Sequence, residues 1–144
     1  MLNLVVVYGS HHVGASIVHY LSQLKNLAIV GQSCNVEDAV QTLVSKPPDV
    51  VIIDAHLKDG LGLEVLRRTK LLGAPPLVIM TAASSYFQYR RECLRHGADY
   101  YFQLPHEIDN MMNTLSRLSS LFSTVNEEMK SVNESPQRNT KGPN

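Results

Sequence analysis

The residue best placed to do chemistry is Asp54, a lone carboxylate directly after the apolar run Val50-Val51-Ile52-Ile53. Such a run reads as a strand buried on both faces, which puts the acid at the strand's carboxyl end. Four other positions share that setting. Tyr8-Gly9-Ser10 closes the run that begins at Leu4, Thr81 follows Leu77–Met80, Tyr101 lies in a short run over 99–102, and Leu104-Pro105 comes just after it. In open parallel sheets, function sits outside the carboxyl ends of the strands, so all five are expected to converge on one edge. An aspartate at a strand end is often only a cap, so its neighbours must decide. Magnesium takes one or two carboxylates together with water and phosphate oxygens. Asp54 is the only carboxylate among these five positions, so any magnesium there is expected to be weakly bound. Lys58, in the following loop, reads as a solvated lysine rather than a fixed cation. His11, His12, His56 and His106 fall in loops at the same edge. Imidazole suits zinc, copper or nickel, but this spacing follows no metal-binding pattern, and no such site is expected.

The elements that would hold these residues alternate regularly. Leu4–Tyr8 reads as a strand, and Val13, Ile17, Tyr20, Leu21 and Leu24 as the apolar face of a helix. Leu27–Gly31 is a second strand. A second helix carries Val36, Ala39, Val40, Leu43 and Val44, with Asn35 as N-cap, Asp38 at its third position, and Pro47-Pro48 closing the connection. Val50–Ile53 is the third strand, and a third helix follows over about 61–72. Leu77–Met80 is the fourth strand. Tyr86, Tyr89, Cys93 and His96 line a fourth helix closed by Gly97, and 99–102 is the fifth strand. A last helix begins near Glu107. Five strand–helix units imply an α/β three-layer sandwich with a parallel sheet, and five strands favour the flavodoxin-like order 2-1-3-4-5. A Rossmann dinucleotide fold is disfavoured, because Gly9-Ser10-His11-His12-Val13-Gly14 does not match its glycine fingerprint.

Bulk composition narrows the function. The 144 residues fit one domain, and 44% hydrophobic content is enough for a core. Thirteen basic residues balance thirteen acidic ones, so nothing favours nucleic acid or membrane as partner. No apolar run approaches the roughly 20 residues that span a bilayer. The N-terminus shows no basic leader or cleavage site. Cys34 and Cys93 are far apart and read as reduced thiols, consistent with a cytoplasmic setting.

The stretch from Pro48 through Asp54, Gly60 and Arg68 resembles the third strand and third helix of response-regulator receiver domains. The similarity continues through Val78-Ile79-Met80-Thr81-Ala82, Gly97-Ala98-Asp99-Tyr100-Tyr101 and Pro105, and covers roughly residues 3–122. The resemblance implies a non-enzymatic module of two-component (phosphorelay) signalling. It makes Asp54 the phosphoacceptor, Thr81 the hydroxyl that contacts the phosphoryl group and Tyr101 the aromatic switch. It makes the His56 carbonyl a magnesium ligand and a histidine kinase, or another signalling protein, the partner. The departures are specific. The family's acidic pair after the first strand is Tyr8-Gly9 here, its lysine before Pro105 is Leu104, and its proline four residues after the acceptor is Lys58. Phosphoryl transfer depends on charge neutralisation at the oxygens. The expected function is therefore a divergent single-domain pseudo-receiver acting as an interaction module, with weak or no magnesium-dependent phosphorylation. The competing readings are a working phosphoacceptor at Asp54 and a flavin-binding flavodoxin-like protein. The partial Ser/Gly content of the first loop disfavours the last.

The C-terminal helix carries a separate signal. Ile108, Met111, Leu115, Leu118, Phe122, Val125, Met129 and Val132 are spaced 3, 4, 3, 4, 3, 4 and 3, a coiled-coil seam. A receiver-like domain over 1–122 needs only the first half. In the remainder, 123–144, the helix either frays after Phe122, where Ser123, Thr124 and Asn126 are poor helix formers, or extends to about Asn133 with Pro136 as the stop, and the residues after Ser135 read as a disordered tail. Such an extension would suit a homodimer.

Overall fold

The computed structural model describes residues 1–83 and 87–141, with side chains described through Val125 and at Glu128 and Met129. Seven strands and five helices are described: β1 (Leu2–Val7), α1 (His11–Leu21), β2 (Leu27–Ser33), α2 (Val36–Ser45), β3 (Val50–Asp54), β4 (His56–Leu57), β5 (Gly60–Leu61), α3 (Gly62–Lys70), β6 (Leu77–Ala82), α4 (Phe87–Arg95), β7 (Tyr100–Gln103) and α5 (Ile108–Lys141). The main sheet has five strands in the order β2-β1-β3-β6-β7, with every pairing parallel. This is the flavodoxin-like order expected, β6 and β7 being its fourth and fifth strands. Tyr86, assigned from sequence to the fourth helix, lies outside the described residues.

Strand alternation builds two cores. Val5, Val7, Val51 and Ile53 face α2, α3 and α4, in one cluster with Ala39, Leu43, Leu66 and Cys93. Leu4, Val6, Ile52 and Ile79 face α1 and α5, with Ile17, Leu21, Met111 and Leu115. Each fully buried Leu or Ile contributes about 1.5–3 kcal/mol, so covering both faces is what fixes the sheet. The helix starts follow local chemistry. Ser10 accepts from the Val13 N–H and Asn35 from the Asp38 N–H, as N-caps do.

Two features differ from the sequence reading. The loop after Asp54 is not irregular throughout, since β4 and β5 form a small antiparallel hairpin pairing His56 with Leu61 and Leu57 with Gly60. Asp59 ties this hairpin to α2 by accepting from the Val36 N–H at 2.8 Å. The second difference is in α5, which does not stop before Pro136 but runs to Lys141. Proline removes one N–H from the ladder and crowds the preceding turn, but the backbone on either side can keep its own bonds.

Candidate functional site at the carboxyl edge of the sheet

Asp54 ends β3 as expected and is in register with Thr81 of β6. The two strands are further tied by the Ala55 N–H, which donates to the Thr81 carbonyl at 2.7 Å. The Gly9 N–H faces the Asp54 carboxylate at a long 3.3 Å. Burial pushes the Asp54 pKa above the ordinary aspartate value, against smaller lowering influences from the Gly9, His56 and Ala55 amides and the His56 charge. The carboxylate is thus half-buried, with the surrounding amides offsetting only part of its desolvation.

It opens into a cavity of about 650 Å³ that runs between α1 and the start of α5. Gly9, His56, Thr81, Leu104 and Pro105 line it together with Asp54, as convergence at one edge requires. The Leu104–Pro105 peptide is cis.

The other expected residues diverge from the edge. Tyr8 turns its side chain away into the α1 side of the core, where its hydroxyl meets the Gln32 amide oxygen at 3.3 Å. Gly14 makes room for it, since a Cβ there would come within 2.6 Å of the Tyr8 ring. Tyr101 points to the opposite face of the sheet, among the α2–α4 cluster. It is 6% exposed, and its hydroxyl has no hydrogen-bond partner among the described residues. The Arg90 guanidinium lies 5.7 Å from its ring centroid. Lys58 is exposed at the hairpin turn and does not line the cavity. Of the four histidines expected in loops, His11 and His12 open α1 and His56 begins β4; His12 and His56 reach the cavity wall, whereas His11 and His106 do not line it. Among the described residues, no group of three or more His, Cys, Asp or Glu side chains could hold a metal.

The expected magnesium ligands can be tested directly against the backbone. Gly9 stands where a second carboxylate would be needed, and a Cβ built on it would run into the His56 carbonyl oxygen. The carbonyl proposed as a ligand therefore packs against the position from which its partner acid would have to come. One carboxylate and a carbonyl held in this way do not make a magnesium site of the usual kind.

One contributor was missed from sequence. Tyr89 of α4 accepts from the Leu63 N–H at 3.0 Å and lies 3.3 Å from the Ala55 carbonyl, to which its hydroxyl donates. It bridges α4 to the loop that follows Asp54. The helical spacing Tyr89–Cys93 signalled only a buried face, and nothing in the residue pattern indicated where the hydroxyl would reach.

The model of the response regulator receiver domain matches residues 5–116. The chain belongs to the response regulator receiver domain family. As a receiver domain it is part of two-component signalling. It is 28% identical over 117 residues to the sensory transduction protein LytT of Bacillus anthracis, covering 81% of this chain and 47% of the relative. It is 29% identical over 98 residues to the putative transcription regulator BvgA of Bordetella pertussis, covering 68% and 47%. The receiver thus spans about half the length of these curated relatives. The response regulator domain of Thermotoga maritima CheB shares the fold, with a TM-score of 0.72 at 21% identity over 84% of this chain and 95% of that one. No helix among the described residues is long and apolar enough to cross a membrane.

Proposed function

We propose that this receiver signals chiefly by docking to a partner protein, with magnesium-dependent phosphorylation weak or lost. The observation that carries the reading is Gly9, where a side chain of any kind would run into the His56 carbonyl. The missing acid is thus built into the backbone packing rather than being a simple substitution. Leu104 supports the same reading, since it packs against the α1–α5 core where the family has its lysine. Lys58 stays in solvent and is no substitute for it. A histidine kinase or another signalling protein is the partner class that family membership suggests. The test is exposure to acetyl phosphate or beryllium fluoride with and without magnesium, read by mass and by amide shifts at 8–10 and 54–56. No magnesium-dependent modification is expected, and saturation at sub-millimolar magnesium would overturn the reading.

One observation favours the alternative, a working phosphoacceptor phosphorylated on Asp54 by a histidine kinase. The Asp54 carboxylate opens onto the cavity beside Thr81, so a phosphoryl donor could reach it. In that case Asp54→Asn would abolish signalling with the fold intact, whereas docking without phosphate predicts that partner binding survives the change. The proposed homodimer rests on α5. Its seam passes from the core at Met111 and Leu115 to exposed Val125 and Met129, and an apolar stripe of that kind suits a second copy of the helix.

A further inference from the structure

The cavity beside Asp54 extends well beyond the space a phosphoryl group needs. One wall is a single face of α1, with Val13, Ser16, Ile17 and Tyr20 at helical spacing, and the opposite wall is Leu104 and Ile108. These walls are mostly apolar, while Asp54 and Thr81 add polar groups to the lining. Among the described residues no lysine or arginine lines the cavity, whose basic groups are His12 and His56. Pockets for small organic molecules combine an apolar body with a few placed polar groups, and this one has a single anionic group.

We propose that the cavity binds a small amphipathic cation, an ammonium head on Asp54 with an apolar tail between α1 and α5. The proposal rests on the reading that Asp54 is not committed to magnesium and phosphate. Charge selects the head, because Asp54 is the one carboxylate among the described lining residues and neither lysine nor arginine lies there to pair with it, so an ammonium N–H donor complements it. Shape selects the tail. The leucine at 104 presents a methyl surface where a lysine would occupy the carboxylate, so the departure that weakens phosphorylation also opens the apolar channel.

The probe is n-hexylammonium, compared with hexanol, hexanoate and tetramethylammonium, each titrated into the full chain and followed by amide shifts. Hexylammonium should saturate shifts at Gly9, Ile17 and Ala82 and bind at least about tenfold more tightly than hexanol, the extra affinity coming from the charged hydrogen bond. Hexanoate and tetramethylammonium should produce no saturable shifts. Asp54→Asn should remove the preference for hexylammonium over hexanol. Ser16→Trp, at an exposed cavity-lining position, should abolish binding of both without unfolding the protein. Equal affinity for hexylammonium and hexanol, or an unsaturable hexylammonium response, would overturn the proposal. Magnesium added at the end separates the two readings. Displacement of bound hexylammonium by sub-millimolar magnesium would sink the docking-without-phosphate reading and leave the cavity assignment standing. Absence of hexylammonium binding alongside absence of magnesium binding would do the reverse.

Discussion

Three aspartates end or begin strands of the same sheet, and they are treated differently at its two edges. At the amino edge, Asp49 accepts from the Asn3 N–H at 2.8 Å and Asp99 from the Val78 N–H at 2.8 Å. Each locks a neighbouring strand, and Asp99 also meets Lys70 at 3.2 Å. At the carboxyl edge, Asp54 faces the Gly9 amide at 3.3 Å, and burial raises its pKa. The first two carboxylates are structural clamps, while the third is held against its preference for water. A part-buried carboxylate whose proton affinity the fold raises is a better candidate for function than one committed to clamping a strand.

The largest effect should come from filling the space that Asp54's neighbour leaves empty. Gly9→Asp should destabilise the fold by about 2–4 kcal/mol in urea denaturation, because backbone at His56 must shift to admit any Cβ. A change near zero would mean that the β4–β5 hairpin moves freely and that the acidic pair could be restored simply. Asp99→Ala should come next, at about 1–3 kcal/mol, since it strands the Val78 N–H at a part-buried site. A comparable loss from Asp54→Asn would erase the contrast between the edges.

Asp54→Asn should instead be neutral or stabilising by up to about 1 kcal/mol at pH 7. The sign follows from linkage. A carboxyl whose pKa is raised on folding binds more protons in the native state, so its contribution is fully present below the unfolded pKa near 3.9 and is lost as pH rises through the folded value. The stability difference between Asp54→Asn and the native sequence should therefore widen upward from about pH 4 and level off above the folded pKa. A difference flat with pH would show that Asp54 is well solvated. The smallest effect on folding should follow from cutting the chain after Phe122. Val125 and Met129 are exposed, so monomer stability should change by less than about 0.5 kcal/mol. Sedimentation should show a dimer that weakens with the cut, and a monomer at high concentration for the full chain would remove self-association.

Buried strands announce themselves by composition, so Val50–Ile53 and Leu77–Met80 placed Asp54 and Thr81 side by side from sequence alone. The five-strand order followed from the alternation of elements. What the residue pattern did not carry was side-chain direction at the sheet edge. Tyr8 follows β1 and turns toward α1, where Gly14 leaves a hollow for it, whereas Tyr101 lies within β7 and alternates away from Tyr100 and Phe102 toward α4. The β4–β5 hairpin was invisible because two-residue strands have no periodicity. The obstruction at Gly9 depends on a contact between segments 47 residues apart in the chain, Gly9 and His56. The end of α5 was misjudged because Pro136 was read as a stop where the backbone remains helical.

The Tyr89 hydroxyl gives the receiver a mechanical property. It is a single pin through two parts, accepting from Leu63 at the start of α3 and donating to Ala55 just after Asp54. α4 cannot be pulled outward without drawing that pin from both holes at once. A protein that grips α4 and displaces it would thereby slacken the segment beside the carboxylate, and a ligand that braces that segment would stiffen the surface α4 offers. Displacement of α4 and rearrangement of the segment after Asp54 are thus coupled through this hydroxyl.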